Sequence, residues 1–349
     1  MGWRIALPER RFRVGIIGFG KMGRLRALEI LKDDDFELVG AFDLDEEKIT
    51  LWHSPVKSYK TTKSLFAEGL DGIFICSIVA SAPSYIKEAL DSGVKVFCEK
   101  PPAKSTSILE STLAVGRNKL SVLPVMVGFN HRFHGSVAEA RRMIKTEPLG
   151  DLLFIEASYG KGGSIDFGEN WRNTRDLSGG GILLDQGIHM LDLLMYLTDD
   201  QFEVDWALVK TCHWDIETED LVTANLNGGK YSVNFVSSAV FWRHEFRLLM
   251  HFDNGFINLN GLATNSNSYT PEEICLGVKD PSFVEDRMGR PVETKKTFVK
   301  DSSWTRELLT FKEFLRSGHN EHANLFDASR ALDLVSDIYE KGTKGESRK

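Results

Sequence analysis

The sequence has little that would send it to a membrane, to nucleic acid or into a disulfide framework. Its most apolar long stretch, Gly181 to Leu197, carries Asp185, His189 and Asp192, which makes a poor membrane span. Basic residues number 43 against 50 acidic, a net charge of −7, so the chain lacks the surplus that nucleic acid or an anionic bilayer requires. Only four cysteines are present, Cys76, Cys98, Cys212 and Cys275, and no two form a CxxC pair. Cys76 and Cys98 lie in apolar runs that read as buried strands, so the thiols are expected free, in a reducing cytoplasm. Met1 to Arg11 is basic without the apolar core of a signal peptide, and Ala6 stands where a myristoylation signal needs Ser or Thr. Repeats, low-complexity segments and heptads are lacking as well.

What is present is a globular balance, 42% apolar and 27% charged over 349 residues, enough for two domains. The first half alternates strand-like and helix-like segments. Strands are expected over Phe12–Ile17, Phe36–Phe42, Gly72–Ile78, Val94–Cys98 and Val122–Phe129. Helices are expected over Met22–Leu31, Asp45–Trp52, Ser84–Ser92 and Ser107–Lys119. Strands separated by helices of that length imply parallel βαβ units and a doubly wound sheet. After about residue 150 the texture changes to strands over Leu152–Tyr159, Phe202–Lys210, Leu221–Leu226, Tyr231–Ser237 and Phe246–Phe252. Asn227-Gly228-Gly229 and Asp253-Asn254-Gly255 are hairpin signals. One helix, Leu183–Leu197, interrupts this region, and helices near Thr305–Leu315 and Ala328–Glu340 close the chain before a polar, frayed tail. The fold class expected is α/β: a Rossmann domain over residues 1–130 and an α+β domain with an open, largely antiparallel sheet over 131–349. The last helices are candidates to pack back on the first domain. Residues 263–300 read as polar, irregular surface loops with short strands.

Gly18-Phe19-Gly20-Lys21-Met22-Gly23 matches G-x-G-x-x-G between a strand and a helix, and Asp43 follows 20 residues after Gly23. Gly18 permits the turn, Gly20 lets backbone approach a pyrophosphate at the helix N-terminus, and Gly23 lets helix and strand pack closely. A carboxylate at Asp43 binds ribose hydroxyls and repels a 2′-phosphate. Leu44, Asp45, Glu46 and Glu47 follow it without a cation, so NAD is expected over NADP. The bland reading of the loop is a tight turn without ligand, and that of Asp43 a helix cap.

A strand ends at Glu99-Lys100-Pro101-Pro102, placing Lys100 where an open parallel sheet binds its ligands. Its ammonium there is a donor to a substrate oxygen; the bland reading is a solvated turn lysine. Gly179-Gly180-Gly181 precedes Asp185 and His189, which at i and i+4 share a helical face. His is the natural proton acceptor near neutral pH, against the bland reading of a surface ion pair. Trp171 and Arg172 are candidates to stack on and bond a sugar. Tyr159, Lys161 and Gly162-Gly163 are candidates for a lip over the pocket. The i,i+3 pairs His131/His134 and His319/His322 lack an accompanying Cys or carboxylate cluster, so no metal site is expected.

These pieces together resemble the Gfo/Idh/MocA family, the glucose–fructose oxidoreductase and inositol dehydrogenase group. The resemblance rests on the glycine loop, Glu99-Lys100-Pro101, Asn130-x-Arg132-Phe133, and the glycine run with Asp185-x-x-x-His189, and it runs from about Phe12 to Tyr339. It implies Lys100, Asp185 and His189 as the catalytic set, and an open sheet whose face makes a subunit interface, giving a homodimer or homotetramer. With it go Ser77 and Glu99 as further cofactor contacts, and Arg132 as a substrate contact beside Trp171 and Arg172. One segment departs: Val79-Ala80-Ser81-Ala82-Pro83 stands where the family carries a polar-Pro pair, with Pro83 a shifted equivalent. The reaction implied is reversible oxidation of a secondary hydroxyl on a sugar, nucleotide sugar, sugar phosphate or cyclitol. The alternatives are an NAD(P)H-dependent reductase of a keto-sugar or imine, and a non-catalytic NAD-sensing regulator on the same fold.

Overall fold

The computed structural model describes residues 10–163, 171–279 and 292–344. The chain divides into two compact units, one running to Gly128 and including Thr305–Ala328, the other comprising Phe129–Trp304 and the chain from Ser329.

In the first unit the elements run β1 (Phe12–Ile17), α1 (Lys21–Ile30), β2 (Phe36–Phe42), α2 (Glu47–Thr50), α3 (Thr62–Phe66), β3 (Gly72–Ile75), α4 (Ala82–Asp91), β4 (Lys95–Glu99), α5 (Thr106–Leu113) and β5 (Val125–Gly128). The sheet order is β2-β1-β3-β4-β5, every pair parallel. Its strands are short apolar runs buried on both faces, as helix-covered parallel sheets require. Two expected elements end early. The third strand stops at Ile75, short of Ile78: the Cys76 N–H still donates to Ile17 (2.7 Å), and the chain then turns away beneath the glycine loop, leaving Cys76 half-buried. The helix from Ser107 stops at Leu113, because Ala114 takes a left-handed conformation (φ 53°) and a 3₁₀ turn over Arg117–Val122 replaces its last turns.

In the second unit come α6 (Gly135–Thr146), β6 (Leu152–Gly160), α7 (Arg175–Ser178), α8 (Ile188–Thr198), β7 (Glu203–Lys210), β8 (Leu221–Asn227), β9 (Ser232–Ser238), β10 (Glu245–Phe252), β11 (Gly255–Asn260), β12 (Glu272–Val278) and β13 (Val292–Phe298). After α9 (Ser303–Ser317) come α10 (Leu325–Lys341) and β14 (Gly342–Lys344). The nine-stranded sheet runs β13-β12-β11-β10-β6-β9-β8-β7-β14, antiparallel except for β6 with β9 and β7 with β14. Alternate residues face the helices and are buried, among them Ile155, Val233, Phe235, Leu248 and Ile257.

Three refinements of the sequence reading have physical causes. The short strands expected within 263–300 are 272–278 and 292–298, each seven residues long and part of the large sheet; β13 is an edge rich in charged and polar residues, the composition that blunts an edge and hides its bounds from apolar patterning. The tail does not fray at once, since Gly342–Lys344 pair with β7. Helix α6, absent from the sequence reading, has His134 at its N-cap instead of Ser, Thr, Asp or Asn, and that side chain does not cap it. The N–H of Ser136 is capped instead by Glu272 (2.7 Å), from the far side of the second unit's sequence.

Candidate active site

In the first unit the glycine loop joins β1 to α1. Gly18 has φ +88°, and a Cβ there would lie 2.7 Å from the backbone of Cys76 and Ser77, so only glycine lets these strand ends approach. A Cβ on Gly23 would meet the Gly18 carbonyl at 2.1 Å, whereas one on Gly20 would meet nothing within 4 Å. The space lies over Gly20, at the N-terminus of α1, which no side chain caps. The orphan N–H groups of that first turn, which begins at Lys21 and Met22, suit a pyrophosphate, and the residues present fit a dinucleotide.

Asp43, just past β2, holds this loop. Its Oδ2 accepts the Phe19 N–H (2.6 Å), and its Oδ1 accepts from Asp45 N (2.9 Å) and Lys48 Nζ (3.1 Å). Lys48 is a cation that the sequence reading missed: it lies five residues on, beyond the acidic run, and one helical turn brings it back. Ser77, whose Oγ donates to the Ile78 carbonyl (3.3 Å), sits two residues past β3 against Gly18.

At the end of β4, Lys100 is half-buried and Pro101 and Pro102 are buried. Glu99, expected among the cofactor contacts, is held by the buried Arg26 of α1: its Oε1 accepts from Arg26 Nε at 2.7 Å. Arg26 also lies 2.6 Å from the buried Glu307 of α9 and stacks over Phe97 at 4.3 Å. Burial alone would lower the guanidinium pKa, but Glu307 and Glu99 outweigh it and hold the charge firmly. No local pattern marks Arg26, because both carboxylates are distant in sequence.

In the second unit the glycine run leads into a π-turn over Leu183–Gly187 and then α8. The buried Glu219 caps this segment, its Oε1 accepting from Gly181 N (2.9 Å), Leu183 N (3.1 Å) and the Tyr339 hydroxyl (2.7 Å). Burial pushes its carboxyl up against those bonds. Asp185 lies within that π-turn and His189 in the first turn of α8. Asp185 takes Lys161 Nζ on Oδ2 (3.0 Å) and Arg172 Nε on Oδ1 (3.1 Å). Arg172 in turn lies over the Trp171 ring at 4.6 Å. Trp171, Arg172, Asp185 and Lys161 therefore come together, with Lys161 as a charge partner of Asp185.

His189 is buried on α8 against aromatic rings: His131 at 3.9 Å, Phe129 at 6.1 Å and Tyr159 at 6.4 Å between centroids. Tyr159 bonds His131 (3.0 Å) and packs on Tyr269, whose hydroxyl accepts from Gln186 (3.1 Å). Burial raises both phenols, Tyr269 to about 12, so they remain neutral donors near pH 7. Arg132, expected to touch substrate, is engaged by Asp192 of α8 through Nε (2.9 Å) and Nη2 (2.5 Å), with its guanidinium over Tyr196. That bidentate clamp ties the turn after Phe129 to the helix bearing His189. His134 is bonded to the buried Glu272 (2.9 Å).

Two family models match the chain. The "Oxidoreductase family, NAD-binding Rossmann fold" model covers residues 12–129, and the "GFO/IDH/MocA C-terminal domain" model covers residues 137–258. The chain belongs to the GFO/IDH/MocA oxidoreductase family. Among its relatives is glucose-6-phosphate 3-dehydrogenase of Bacillus subtilis, 29% identical over 54% of this chain and 55% of that protein. The chain thus spans about half the length of that relative. Myo-inositol 2-dehydrogenase of Thermotoga maritima is 22% identical over 83% of this chain and 87% of its own length. Among solved structures, a 3-ketoreductase from Actinomadura kijaniata in complex with NADP and TDP-benzene has TM-score 0.78 at 16% identity, covering 96% of this chain and 99% of the other. That likeness concerns the fold: the Rossmann sheet with a large, mixed sheet after it is the family's architecture.

Proposed function

We propose that this family member is an NAD-dependent dehydrogenase that reversibly oxidises a secondary hydroxyl of a sugar, sugar derivative or cyclitol. The observation that carries the reading is the α8 segment of the second unit. A buried imidazole, His189, follows a carboxylate, Asp185, that is held between Lys161 and Arg172. Around it, tyrosine hydroxyls and an amide suit a polyhydroxylated ring, as do Trp171 and Arg172. The names of the relatives, a glucose-6-phosphate dehydrogenase and an inositol dehydrogenase, support the substrate class.

In this reading the bound nicotinamide supplies the hydride-accepting centre. His189 takes the hydroxyl proton as general base. Lys100 donates to the reacting oxygen, where negative charge develops. Asp185, fixed by its two cations, accepts from a neighbouring substrate hydroxyl and favours the charged imidazole. Asp43 supports NAD over NADP, while Lys48 beside it is the residue that would have to move toward a 2′-phosphate for NADP to bind. We place the protein in the cytoplasm, in keeping with its four free thiols, and as a homodimer or homotetramer through the open sheet face. No helix among the described residues is long and apolar enough to cross a membrane.

The test is nicotinamide absorbance with NAD and a panel of glucose 6-phosphate, methyl glucoside and myo-inositol, run on wild type and His189→Ala. Turnover of at least one of these by wild type and its loss in the variant is the expected result. No turnover across an extended sugar panel despite NAD binding sinks the dehydrogenase reading in favour of a sensor.

A further inference from the structure

The rings of His131 and His189 lie face to face, centroids 3.9 Å apart and planes 23° from parallel. His131 is 6% exposed and His189 5%. Both nitrogens of His131 are committed, Nδ1 to Asn130 Oδ1 and Nε2 to the Tyr159 hydroxyl, each at 3.0 Å. Asn130 turns its amide nitrogen toward Ser303 Oγ (3.5 Å), which leaves its oxygen for the ring. An amide oxygen only accepts, so this network assigns the proton of His131 to Nδ1, and Nε2 then accepts from Tyr159. His131 is thereby held as a neutral tautomer, because a second proton, on Nε2, would cost it the bond from Tyr159.

The groups facing the pair come from several elements. Tyr159 is contributed by β6, Phe129 and His134 by the turn before α6, and Phe246 by β10; the His134 ring centroid lies 5.5 Å from that of His131. The titratable neighbours have partners: His134 bonds Glu272 (2.9 Å), Asp192 pairs with Arg132 (2.5 Å), and Asp185 pairs with Lys161 and Arg172. What lies flat on His189 itself is the neutral ring of His131.

We propose that His131 is a positioning residue for His189, a neutral aromatic plate that fixes the plane of that ring and favours its protonated form by cation–π contact. The inference rests on the reading of His189 as the proton acceptor. An imidazolium over an aromatic face gains most when it is desolvated, as here. A pair that shared a proton would behave in the opposite sense, because removing His131 would then remove like-charge repulsion and raise the His189 midpoint.

Side-chain ¹⁵N NMR titration of the full chain without substrate tests this, with resonances assigned through His131→Phe and His189→Gln. In wild type, His189 should titrate while His131 keeps the pattern of a neutral Nδ1–H ring over roughly pH 5 to 8. In His131→Met the His189 midpoint should fall by about 0.5 to 1 pH unit, and in His131→Phe, which keeps an aromatic face, it should stay within roughly 0.3. A His131 that charges before His189 overturns the proposal, as does a midpoint that holds or rises in His131→Met. The wild-type arm stands even where a variant fails to fold. Turnover by His189→Ala decides separately whether His189 is the base, so failure of that reading is told apart from failure of the plate.

Discussion

The carboxylate of Asp43 accepts the backbone N–H of Phe19 at 2.6 Å, so the residue expected to choose the cofactor also anchors the loop that would bind it. Asp43→Ser alone should weaken NADH binding through loss of that anchor. Asp43→Ser with Leu44→Arg, which frees Lys48 and adds a guanidinium, should raise affinity for NADPH relative to NADH by about 10- to 100-fold. Fluorescence titration with both reduced cofactors measures this. Wild type binding NADPH as tightly as NADH would refute Asp43 as the selector.

His189→Ala should retain NADH binding and a cooperative unfolding transition, lowered by the cavity its buried ring leaves, yet lose alcohol oxidation by roughly 10²- to 10⁴-fold. Lys100→Met should lose a comparable amount. The double variant should lose less than the product of the two, because both residues serve one proton transfer. Steady-state rates on a substrate found in the panel decide it, and near-normal turnover by His189→Ala would move the base elsewhere, Lys100 first.

Gly181 lies against Glu219, and a Cβ there would sit 2.1 Å from the Glu219 carbonyl oxygen. Gly181→Ala should lower the unfolding free energy by about 1–3 kcal/mol through overpacking. Glu219→Ala should lose a similar amount, since it orphans N–H groups of the segment that carries Asp185 and His189. Urea denaturation followed by tryptophan fluorescence reads both; a wild-type midpoint in either variant would deny the cap its role.

Glu272 has a lowered pKa. Burial pushes it up, but the bonds from His134, Ser136 and Ala263 outweigh burial. A carboxylate whose folded pKa lies below its unfolded value stabilises the fold above the unfolded pKa, and that stability is lost as pH falls through the folded one. Wild type should therefore lose stability below roughly pH 4.5, and Glu272→Gln should show less of that loss. Parallel acid-unfolding curves for the two proteins would remove the assignment.

The face of the large sheet away from its buried residues carries Phe154, Leu249 and Phe256, only partly buried in the single chain. A closed-symmetry dimer or tetramer would cover it. Light scattering at micromolar concentration should return a multiple of 39.3 kDa; a monomer there would end this expectation.

Local patterns carried far in this chain. The glycine loop, its flanking strand and helix, Asp43 and the five parallel strands were legible because each depends on contacts within a few residues or on strand burial repeated along the chain. The lysine at the end of β4 was legible for the same reason, since strand ends can be read from apolar runs. Helix α6 was not, because its cap comes from Glu272, 136 residues away from Ser136. The bounds of polar β13 were not, because an edge strand has no apolar face to announce them.

By itself the sequence determined which residue types stand at the strand ends and on the helix after the glycine run, since spacing along one segment sets which backbone they ride on. Only the tertiary structure decided what those side chains meet. It turned Asp185 toward Lys161 and Arg172, spent Arg132 on Asp192, buried Arg26 between Glu99 and Glu307, and laid His131 flat on His189. The reason is physical: a buried charge or ring takes its partner from whichever distant segment packs beside it.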